Sequence, residues 1–380
     1  MVVEPKVRGF ICTTAHPVGC EQAVKEQVDY VKAQGKLNGA KKVLVVGSSM
    51  GYGLASRIAA AFGCGAATVG VMFDKPASGS KTATSGWYNT KAFEKFAAAE
   101  GLYAKTVNGD AYSDEVKKEV IDIIKRDLGK VDMVVYSLAA PRRTVGDVVY
   151  KSVLKTTGEA YTNKTIDLRN NEITEITLEP ATDEEIEATV KVMGGEDWEA
   201  WIDALKAADA LEDNALTVAY SYIGPKLTHP MYYNGSIGRA KAHLLATSKK
   251  ITENGVRAYV SVNKALVTQS SSAIPIVPLY ISILYKVMKA KGNHEGCIEQ
   301  MYRLFGKLSG GQPELDADGQ IRMDDWEMQD DIQTEVSKVW ESIYADNFKE
   351  LTDMDGYWKD FYALFGFGVE GVDYSADVDV

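Results

Sequence analysis

The amino-acid sequence predicts an α/β protein in which helices cover both faces of a doubly wound parallel sheet. Apolar segments such as 66–74 and 131–139 alternate with segments that favour helices. Their apolar residues are nearly continuous, which is typical of strands that are buried on both faces. A glycine-rich turn also joins the first of these strands to a helix, as expected at the start of a strand–helix–strand unit.

The N-terminal half follows this alternation in order. A helix over about 20–34 precedes the apolar strand, glycine turn and helix of "KKVLVVGSSMGYGLASRIAAAFG". The second strand, 66–74, leads into the polar loop "ASGSKTATSGWYN". The remaining predicted elements here are a helix over about 90–100, a strand over 102–110, a helix from Ser113 to about Leu128 and a strand over 131–139.

The rest of the chain departs from simple alternation. Two alternating runs flank Asn170-Asn171, which indicates an antiparallel hairpin inserted at about 152–180. Further strands are predicted over 215–224 and 256–263. The predicted helices lie over about 183–191, 195–209, 275–291, 293–306, 325–344 and 356–365, with a turn at "LDADGQIRM". We expect one domain over 1–380, with the core at about 40–270 and mostly helical additions at about 271–380.

Composition narrows the function. The net charge is -11, and no basic patch is visible, which argues against nucleic acid and membrane partners. The four cysteines are scattered without a CxxC pair, as in reduced cytosolic proteins, and the four histidines lack metal-ligand spacing. No bilayer-spanning run or signal peptide is evident, so we expect a cytoplasmic protein, a monomer, with no bound metal.

The glycine turn predicts a phosphate-binding site. Gly47, Gly51 and Gly53 are spaced GxxxGxG between a strand and a helix, where glycine allows close approach of a ligand. The helix N-terminus then offers free N–H groups to a pyrophosphate. The same stretch also fits GxSxG, the nucleophile elbow of serine hydrolases, with Ser49 as nucleophile. That elbow usually follows several strands, and a hydrolase would leave Gly53 unexplained.

Other strand ends support a dinucleotide site. Asp74, at the end of the second strand, is placed to bind an adenosine ribose and to disfavour a 2′-phosphate. Ligands of doubly wound sheets bind at the carboxyl ends of strands. The residues at the other strand ends are Asp110 and Ala111 for the adenine, Ser137, Leu138 and Ala139 for the nicotinamide ribose, and Leu266, Val267 and Thr268 for the nicotinamide.

"ELDADGQIRMDD" (314–325) loosely resembles a calcium loop, with acids at alternate positions. It ends in Asp325 where such loops carry glutamate. A solvated turn is the preferred interpretation.

The segment "MYYNGSIGRAKAHL" (231–244) sets two tyrosines ahead of a lysine. On one straight helix, Tyr232 and Lys241 would lie on opposite faces. Asn234-Gly235, however, predicts a turn, and Ser236 is a good helix N-cap, so the tyrosine lies on a loop before the helix. Spacing alone leaves open whether Tyr232 or Tyr233 acts, or whether both are ordinary surface residues.

The sequence resembles, essentially end to end, the trans-2-enoyl-CoA reductases and the related FabV-type enoyl-ACP reductases. The likeness is carried by "HPVGC", "VGSSMGYGLASRIAAAFG", "GWYN", "VYSLAAPRR", "VKVMGGEDW", "AYSYIGP", "SIGRAKAHL", "SVNKALVT", "KGNHEGCIEQ" and "RMDDWE". It implies a Rossmann-type core, a helical substrate-binding lid and NADH as reductant. The implied reaction reduces the trans-2 double bond of a short enoyl-CoA such as crotonyl-CoA. An enoyl-ACP of fatty-acid synthesis is the alternative substrate, and a serine hydrolase or a non-catalytic NADH-binding regulator are alternatives of other classes.

The resemblance also implies roles for individual residues. The tyrosine of its Y-x8-K pattern, the proton donor, is Tyr232, and the cofactor-binding lysine is Lys241. A second tyrosine beside the substrate carbonyl is Tyr222. The implied cofactor contacts are Gly47, Ser48, Ser49, Met50, Gly51, Tyr52, Phe73, Asp74, Asp110, Ala111, Leu138, Ala139, Leu266, Val267 and Thr268, which coincide with the strand ends named above.

Overall fold

A computed structural model describes all residues from Met1 to Val380. The thirteen strands, in chain order, are β1 (Val7–Arg8), β2 (Ile11–Cys12), β3 (Lys42–Val46), β4 (Ala67–Met72), β5 (Ala104–Asn108), β6 (Val131–Tyr136), β7 (Arg142–Val145), β8 (Val148–Lys151), β9 (Tyr161–Asp167), β10 (Glu172–Leu178), β11 (Leu211–Ser221), β12 (Arg257–Val262) and β13 (Ile321–Arg322).

The α-helices, in chain order, are α1 (Pro17–Gln34), α2 (Gly51–Ile58), α3 (Ser85–Ala99), α4 (Asp114–Asp127), α5 (Asp183–Met193), α6 (Glu196–Ala207), α7 (Ser236–Glu253), α8 (Val277–Lys291), α9 (Cys297–Ser309), α10 (Asp330–Ser342), α11 (Phe348–Leu351) and α12 (Met354–Ala363). A π-helical turn, Ala59–Gly63, extends α2, and a 3₁₀ turn, Ser271–Ala273, precedes α8.

Seven strands form one parallel sheet in the order β13-β12-β11-β6-β3-β4-β5. Numbered by their order along the chain, the sheet strands read 3-2-1-4-5-6 with a seventh at the edge, which is the doubly wound order of dinucleotide-binding folds. The order reverses between β3 and β6. The predicted Rossmann-type fold is confirmed, and ligands are expected in the crevice at this reversal.

Alternate residues of each strand face opposite sides of the sheet and build two cores. Val43 and Val45 of β3 pack with apolar residues of α1, α2, α3 and α9. Leu44 and Val46 pack on the other side with α4, α6 and α7. A third core joins the β9–β10 hairpin to α8, α10 and α12, and it includes Tyr232. None of the helices is both long and apolar enough to cross a membrane.

The hairpin predicted around Asn170-Asn171 is confirmed as β9 and β10, and Asn171 adopts a φ of 57° in its turn. It packs on the C-terminal helices: the Lys164 Nζ donates hydrogen bonds to main-chain carbonyls of Trp340 and Ile343 at the end of α10. We propose that this packing makes residues 1–380 one domain.

Four details of the prediction were wrong. The helix expected from about 90 begins at Ser85, and the β7–β8 hairpin was not predicted. β13 lies within the segment predicted as a turn. Ser236 is not the N-cap of α7, because Gly235 holds that position. The buried Ser236 hydroxyl instead donates a hydrogen bond to the Val153 carbonyl, at 2.5 Å. The buried contact with an inserted segment therefore overrides the local capping preference of serine.

The glycine turn after β3 is so tightly packed that two of its glycines have no room for a side chain. Gly47 has a φ of 84°, and a Cβ there would lie 2.1 Å from the Ser137 carbonyl oxygen at the end of β6. A Cβ on Gly53 would lie 1.8 Å from the Gly47 carbonyl oxygen. Glycine thus allows α2 to start directly against the strand, at the point where the sheet order reverses.

Gly53→Ala should therefore damage this turn. Because the added methyl group meets main-chain atoms that cannot rotate away, we expect the free energy of unfolding to fall by about 1–3 kcal/mol. We also expect weaker NADH binding, measured by fluorescence titration. Gly158→Ala is the matched control, since a Cβ on the exposed Gly158 meets no atom within 4 Å. Equal behaviour of the two variants would contradict the tight-turn interpretation.

Candidate active site

A cleft of about 450 Å³ opens at the carboxyl ends of the parallel strands, beside the reversal between β3 and β6. The predicted residues that line it are Gly47, Ser49, Met50, Gly51, Tyr52, Phe73, Asp74, Ser137, Leu138, Ala139, Tyr222, Tyr232, Lys241, Leu266 and Thr268. The predicted residues that do not line it are Ser48, Asp110, Ala111 and Val267. The fold therefore brings most of the predicted site together in one cavity.

The glycine turn leaves an uncapped helix end at the cleft. The N-cap of α2 is Met50, whose side chain makes no capping hydrogen bond, so the first N–H groups of the helix have no side-chain acceptor. Uncapped N–H groups and the helix dipole favour an anionic ligand. A Cβ at Gly51 would point toward Thr268 across the cleft, 3.8 Å from its Cγ2, and the φ of Gly51 is 52°, so glycine leaves this end of the cleft free for a pyrophosphate.

Ser48 points away from this anion site. It is fully buried, and both its N–H group and its hydroxyl donate to the Val71 carbonyl of β4. Ser48 thus fixes the turn to the neighbouring strand, and its side chain is not available to a ligand.

The expected adenosine end of the cleft lies beyond β4. The Phe73 side chain is 80% exposed at the cleft wall, although exposed phenylalanine is unusual, which leaves its ring available to stack on a flat ligand. The Asp74 carboxylate accepts a hydrogen bond from the Thr84 hydroxyl, at 2.8 Å. Asn108 at the end of β5, which sequence reasoning missed, exchanges two hydrogen bonds with the Asp74 backbone and fixes its position.

Asp110 and Ala111 lie one strand further along the same edge. Asp110 is exposed, whereas Ala111 is buried. The Ala111 carbonyl accepts hydrogen bonds from the Lys117 ammonium and the Trp201 indole. These contacts hold the loop after β5 in place, but neither residue reaches the cleft wall.

The two adjacent tyrosines have opposite environments. Tyr232 is 7% exposed and lines the cleft, where its ring packs edge-to-face against Tyr222, with centroids 5.0 Å apart. Tyr233 is 50% exposed, lies outside the cleft and packs against His229. Gly238 in the first turn of α7 allows this arrangement, because a Cβ there would lie 1.8 Å from the Tyr233 carbonyl oxygen.

Lys241 enters the cleft from α7, and its Nζ donates a hydrogen bond to the Tyr220 carbonyl at 3.0 Å. Burial lowers the pKa of Lys241 to about 8. Burial also raises the pKa of Tyr232 well above its usual value. Tyr232 keeps its proton at neutral pH.

The loop after β12 closes the cleft on the side of α8. Leu266 and Thr268 line the cavity, and the Thr268 main chain is held by the Ser271 hydroxyl at 2.8 Å. Val267 is buried, and its N–H group donates to the Tyr285 hydroxyl of α8. Val267 therefore connects the loop to α8 instead of facing the cavity.

Sequence reasoning missed two buried charged residues beside the cleft. Lys264 is 2% exposed and lines the cavity directly after β12. Glu327 is fully buried, and it accepts a hydrogen bond from the Ala265 N–H group at 2.7 Å. The position of Lys264 at a strand end is a signal that could have identified it. Glu327 lies in an acidic segment far along the chain, and no local pattern places it here.

A serine hydrolase and a metal site would each need partner residues that the structure does not bring together. Ser49 lines the cleft, but no histidine lines it that could act as a base. His294 lies outside the cleft and packs against Tyr285, and burial lowers its pKa to about 3. No group of three or more histidine, cysteine, aspartate or glutamate residues is arranged to hold a metal, and all four cysteines are free. In the acidic turn at 314–325, Asp316 pairs with Arg322 and accepts a hydrogen bond from the Gln320 N–H group, and Asp325 pairs with Arg303.

The fold and the cleft define a dinucleotide-dependent oxidoreductase. Models of three families match the chain: the NAD(P)H binding domain of trans-2-enoyl-CoA reductase over residues 2–79, the trans-2-enoyl-CoA reductase catalytic region over 81–308, and the enoyl reductase FAD binding domain over 315–378. This chain belongs to the trans-2-enoyl-CoA reductase family, which includes enoyl-[acyl-carrier-protein] reductases.

Individual relatives cover the whole chain. It is 60% identical to a trans-2-enoyl-CoA reductase [NADH] of Ruminiclostridium cellulolyticum and 55% identical to an enoyl-[acyl-carrier-protein] reductase [NADH] of Flavobacterium psychrophilum, in each case over 100% of this chain and 98% of the relative. The crystal structure of Clostridium acetobutulicum trans-2-enoyl-CoA reductase in complex with NADH superposes with a TM-score of 0.97 at 46% identity, covering 100% of this chain and 98% of that one. The Treponema denticola enzyme in complex with NAD gives 0.96 at 50% identity, with the same coverage.

The C-terminal segment does not fit a flavin, despite the description of its family model. Residues 315–378 contain only the two-residue strand β13 and the helices α10–α12, without a glycine turn between a strand and a helix. Leu364 is the single residue of this segment that lines the cleft. The apolar side chains of the segment pack against α8 instead. We therefore assign no step of the reaction to a flavin.

The lowered pKa of Lys241 makes a pH dependence testable. Its ammonium group is charged below about pH 8, and the charge is lost as the pH rises through that value. We expect the Kd for NADH to rise above this pH, by up to about tenfold per pH unit. Arginine at position 241, in Lys241→Arg, keeps its charge throughout this range. The pH above which the Kd for NADH rises should therefore be higher in this variant. Fluorescence titrations on both sides of this pH provide the measurement.

Lys264 is the competing group, because burial also lowers its pKa to about 8. If the Kd for NADH rises at the same pH in Lys241→Arg as in the wild-type protein, the assignment to Lys241 is contradicted.

Proposed function

We propose that this chain uses NADH to reduce the trans-2 double bond of an enoyl-CoA, with a short substrate such as crotonyl-CoA. The observation that carries this proposal is the pair of tyrosines packed edge-to-face, the partly buried Tyr222 and the buried Tyr232, in the cleft that also contains the uncapped helix end of α2. The family membership and the NADH named for its relatives support the same reaction.

The chemistry requires a donor for the thioester oxygen. When bound, NADH supplies a hydride for the β-carbon of the enoyl thioester, and negative charge then develops on the thioester oxygen. We propose that the hydroxyls of Tyr222 and Tyr232 stabilise this oxygen, since preorganised donors act where charge develops. Tyr232 supplies the proton, because burial keeps its phenol neutral at working pH. Lys241 contacts the cofactor.

The proposed cofactor contacts follow the cleft from one end to the other. The α2 N-terminus binds the pyrophosphate, and Asp74 binds the adenosine ribose and repels a 2′-phosphate, which favours NADH over NADPH. The residues assigned to the cofactor are Gly47, Ser48, Ser49, Met50, Gly51, Tyr52, Phe73, Asp74, Asp110, Ala111, Leu138, Ala139, Lys241, Leu266, Val267 and Thr268. Four of these residues, Ser48, Asp110, Ala111 and Val267, do not line the cleft. The N–H groups of Ser48 and Val267 donate within the protein, so we assign these two residues the role of positioning the loops that carry the cofactor contacts.

The carrier of the acyl chain is CoA or ACP in the relatives. We propose that the carrier for this chain is CoA and that the chain acts as a cytoplasmic monomer.

The decisive experiment compares kcat/KM for crotonyl-CoA, dodecenoyl-CoA and an enoyl-ACP, each with NADH and NADPH. We expect the highest value for crotonyl-CoA with NADH. A higher value for the ACP substrate assigns the chain to fatty-acid synthesis, and no reduction of any of the three contradicts the proposed reaction.

Paired substitutions of the adjacent tyrosines test the proton donor. Tyr232→Phe should lower kcat with crotonyl-CoA by roughly 10²–10⁴-fold, the usual contribution of a positioned general acid. NADH should still bind, which a fluorescence titration checks. Tyr233→Phe, the matched control on the exposed neighbour, should change kcat by no more than about twofold. Loss of turnover in the control alone would place the donor one residue further along the chain.

A further inference from the structure

Glu327 connects three separate segments of the chain around the cleft. Its Oε2 accepts a hydrogen bond from the Ala265 N–H group at 2.7 Å, in the loop after β12. Its Oε1 accepts one from the Tyr280 hydroxyl of α8 at 2.6 Å and lies 3.4 Å from the Tyr222 hydroxyl that follows β11. All three neighbours are donors, which suits an ionised carboxylate, because such a group only accepts hydrogen bonds.

Burying an ionised carboxylate costs free energy, which only well-placed hydrogen bonds and opposite charges offset. Glu327 is fully buried, and a buried carboxylate is unfavourable unless its oxygens are well hydrogen-bonded. Burial raises the pKa of Glu327. The positive charge of Lys264, which is itself 2% exposed beside the same cleft, partly offsets that rise. A fully hydrogen-bonded buried group of this kind fixes the relative positions of its partners.

The two tyrosine contacts of Oε1 differ in strength. The 2.6 Å distance to Tyr280 is that of a strong, charge-assisted hydrogen bond. The 3.4 Å distance to Tyr222 is too long for a strong O–H···O bond. Tyr280 thus makes the stronger bond to Oε1, and the weaker contact orients the Tyr222 hydroxyl while its hydrogen stays available to a better acceptor in the cleft. Burial, and after it the charge of Glu327, raise the pKa of Tyr222, so the phenol retains that hydrogen.

We propose that Glu327 is a positioning residue that holds the Tyr222 hydroxyl and the main chain at Ala265 at a fixed separation. Tyr222 faces the substrate oxygen, and the loop at Ala265 leads into the proposed nicotinamide contacts. Glu327 therefore sets where the acceptor end of the thioester lies relative to the cofactor. This inference rests on the proposed reductase function, and it adds a residue from the C-terminal segment to the site.

A double-mutant cycle with Tyr222→Phe tests this coupling. Glu327→Gln keeps the side-chain size but replaces one acceptor oxygen with a donor. We expect it to lower kcat with crotonyl-CoA by about 10–100-fold, the effect of misplacing reacting groups, with the Kd for NADH changed by less than about threefold. In the Tyr222→Phe background the same substitution should cost no more than about threefold, because the Ala265 and Tyr280 contacts that remain do not position a donor for the substrate oxygen.

Glu295→Gln is the matched control. Glu295 is also a buried carboxylate, but it pairs with Arg303, at 2.5 Å, and does not contact Tyr222. In the double variant, the fold-reductions in kcat caused by Glu295→Gln and by Tyr222→Phe should multiply. If the effects of Glu327→Gln and Tyr222→Phe also multiply, the inference about Glu327 is overturned, whereas failure of wild-type protein to reduce crotonyl-CoA would overturn the reductase proposal instead.

A second variant covers the case in which Glu327→Gln does not fold. Tyr280→Phe removes only the strong hydrogen bond to Oε1 and keeps the aromatic ring. Released from Tyr280, the carboxylate turns to Tyr222, so kcat should fall in the wild-type background and change little in Tyr222→Phe. Multiplicative effects of Tyr280→Phe and Tyr222→Phe would overturn the inference in the same way.

Discussion

The close approach of α2 to the strands β3 and β6 is the constraint on which the rest of the site depends. Gly47 and Gly53 have no room for a side chain, because main-chain carbonyls of Ser137 and Gly47 occupy that space. The helix can therefore begin at the sheet edge, and its N–H groups face the cavity at the reversal of strand order. The tyrosine loop, α7 and the loop after β12 then build the remaining walls around this point.

Burial acts in opposite directions on the two kinds of titratable group in the cleft. It raises the pKa of Tyr232 and of Tyr222, and it lowers the pKa of Lys241 and Lys264 to about 8. The same loss of water contact thus keeps the phenols neutral and brings the lysines close to neutrality. A low-dielectric cavity with neutral donors suits a reaction in which charge appears only as the transition state forms.

The sequence predicted the parts of the molecule that local patterns determine. The sheet strands, the glycine turn and the hairpin at Asn170-Asn171 follow from periodicity and turn chemistry, and they agree with the structure. Contacts between distant segments decided the rest. Ser236 bonds to Val153 instead of capping α7, and β13 forms only because β12 offers an open edge. Spacing could not separate Tyr232 from Tyr233, since the difference between them is burial, and Glu327 reaches the cleft through tertiary packing alone.

The edge strand β13 has a consequence for synthesis on the ribosome. Its partner β12 ends at Val262, but β13 spans Ile321–Arg322, so a long helical stretch must emerge before the sheet receives its last strand. β13 pairs with Ser261 and Val262, the last two residues of β12, so until it emerges the nascent chain leaves this end of the edge unpaired, the kind of surface that pairs with other chains. Glu327 emerges just after β13. Completion of the sheet and delivery of this carboxyl group to the cleft therefore coincide, late in translation, and the growing chain gains both within the same few residues.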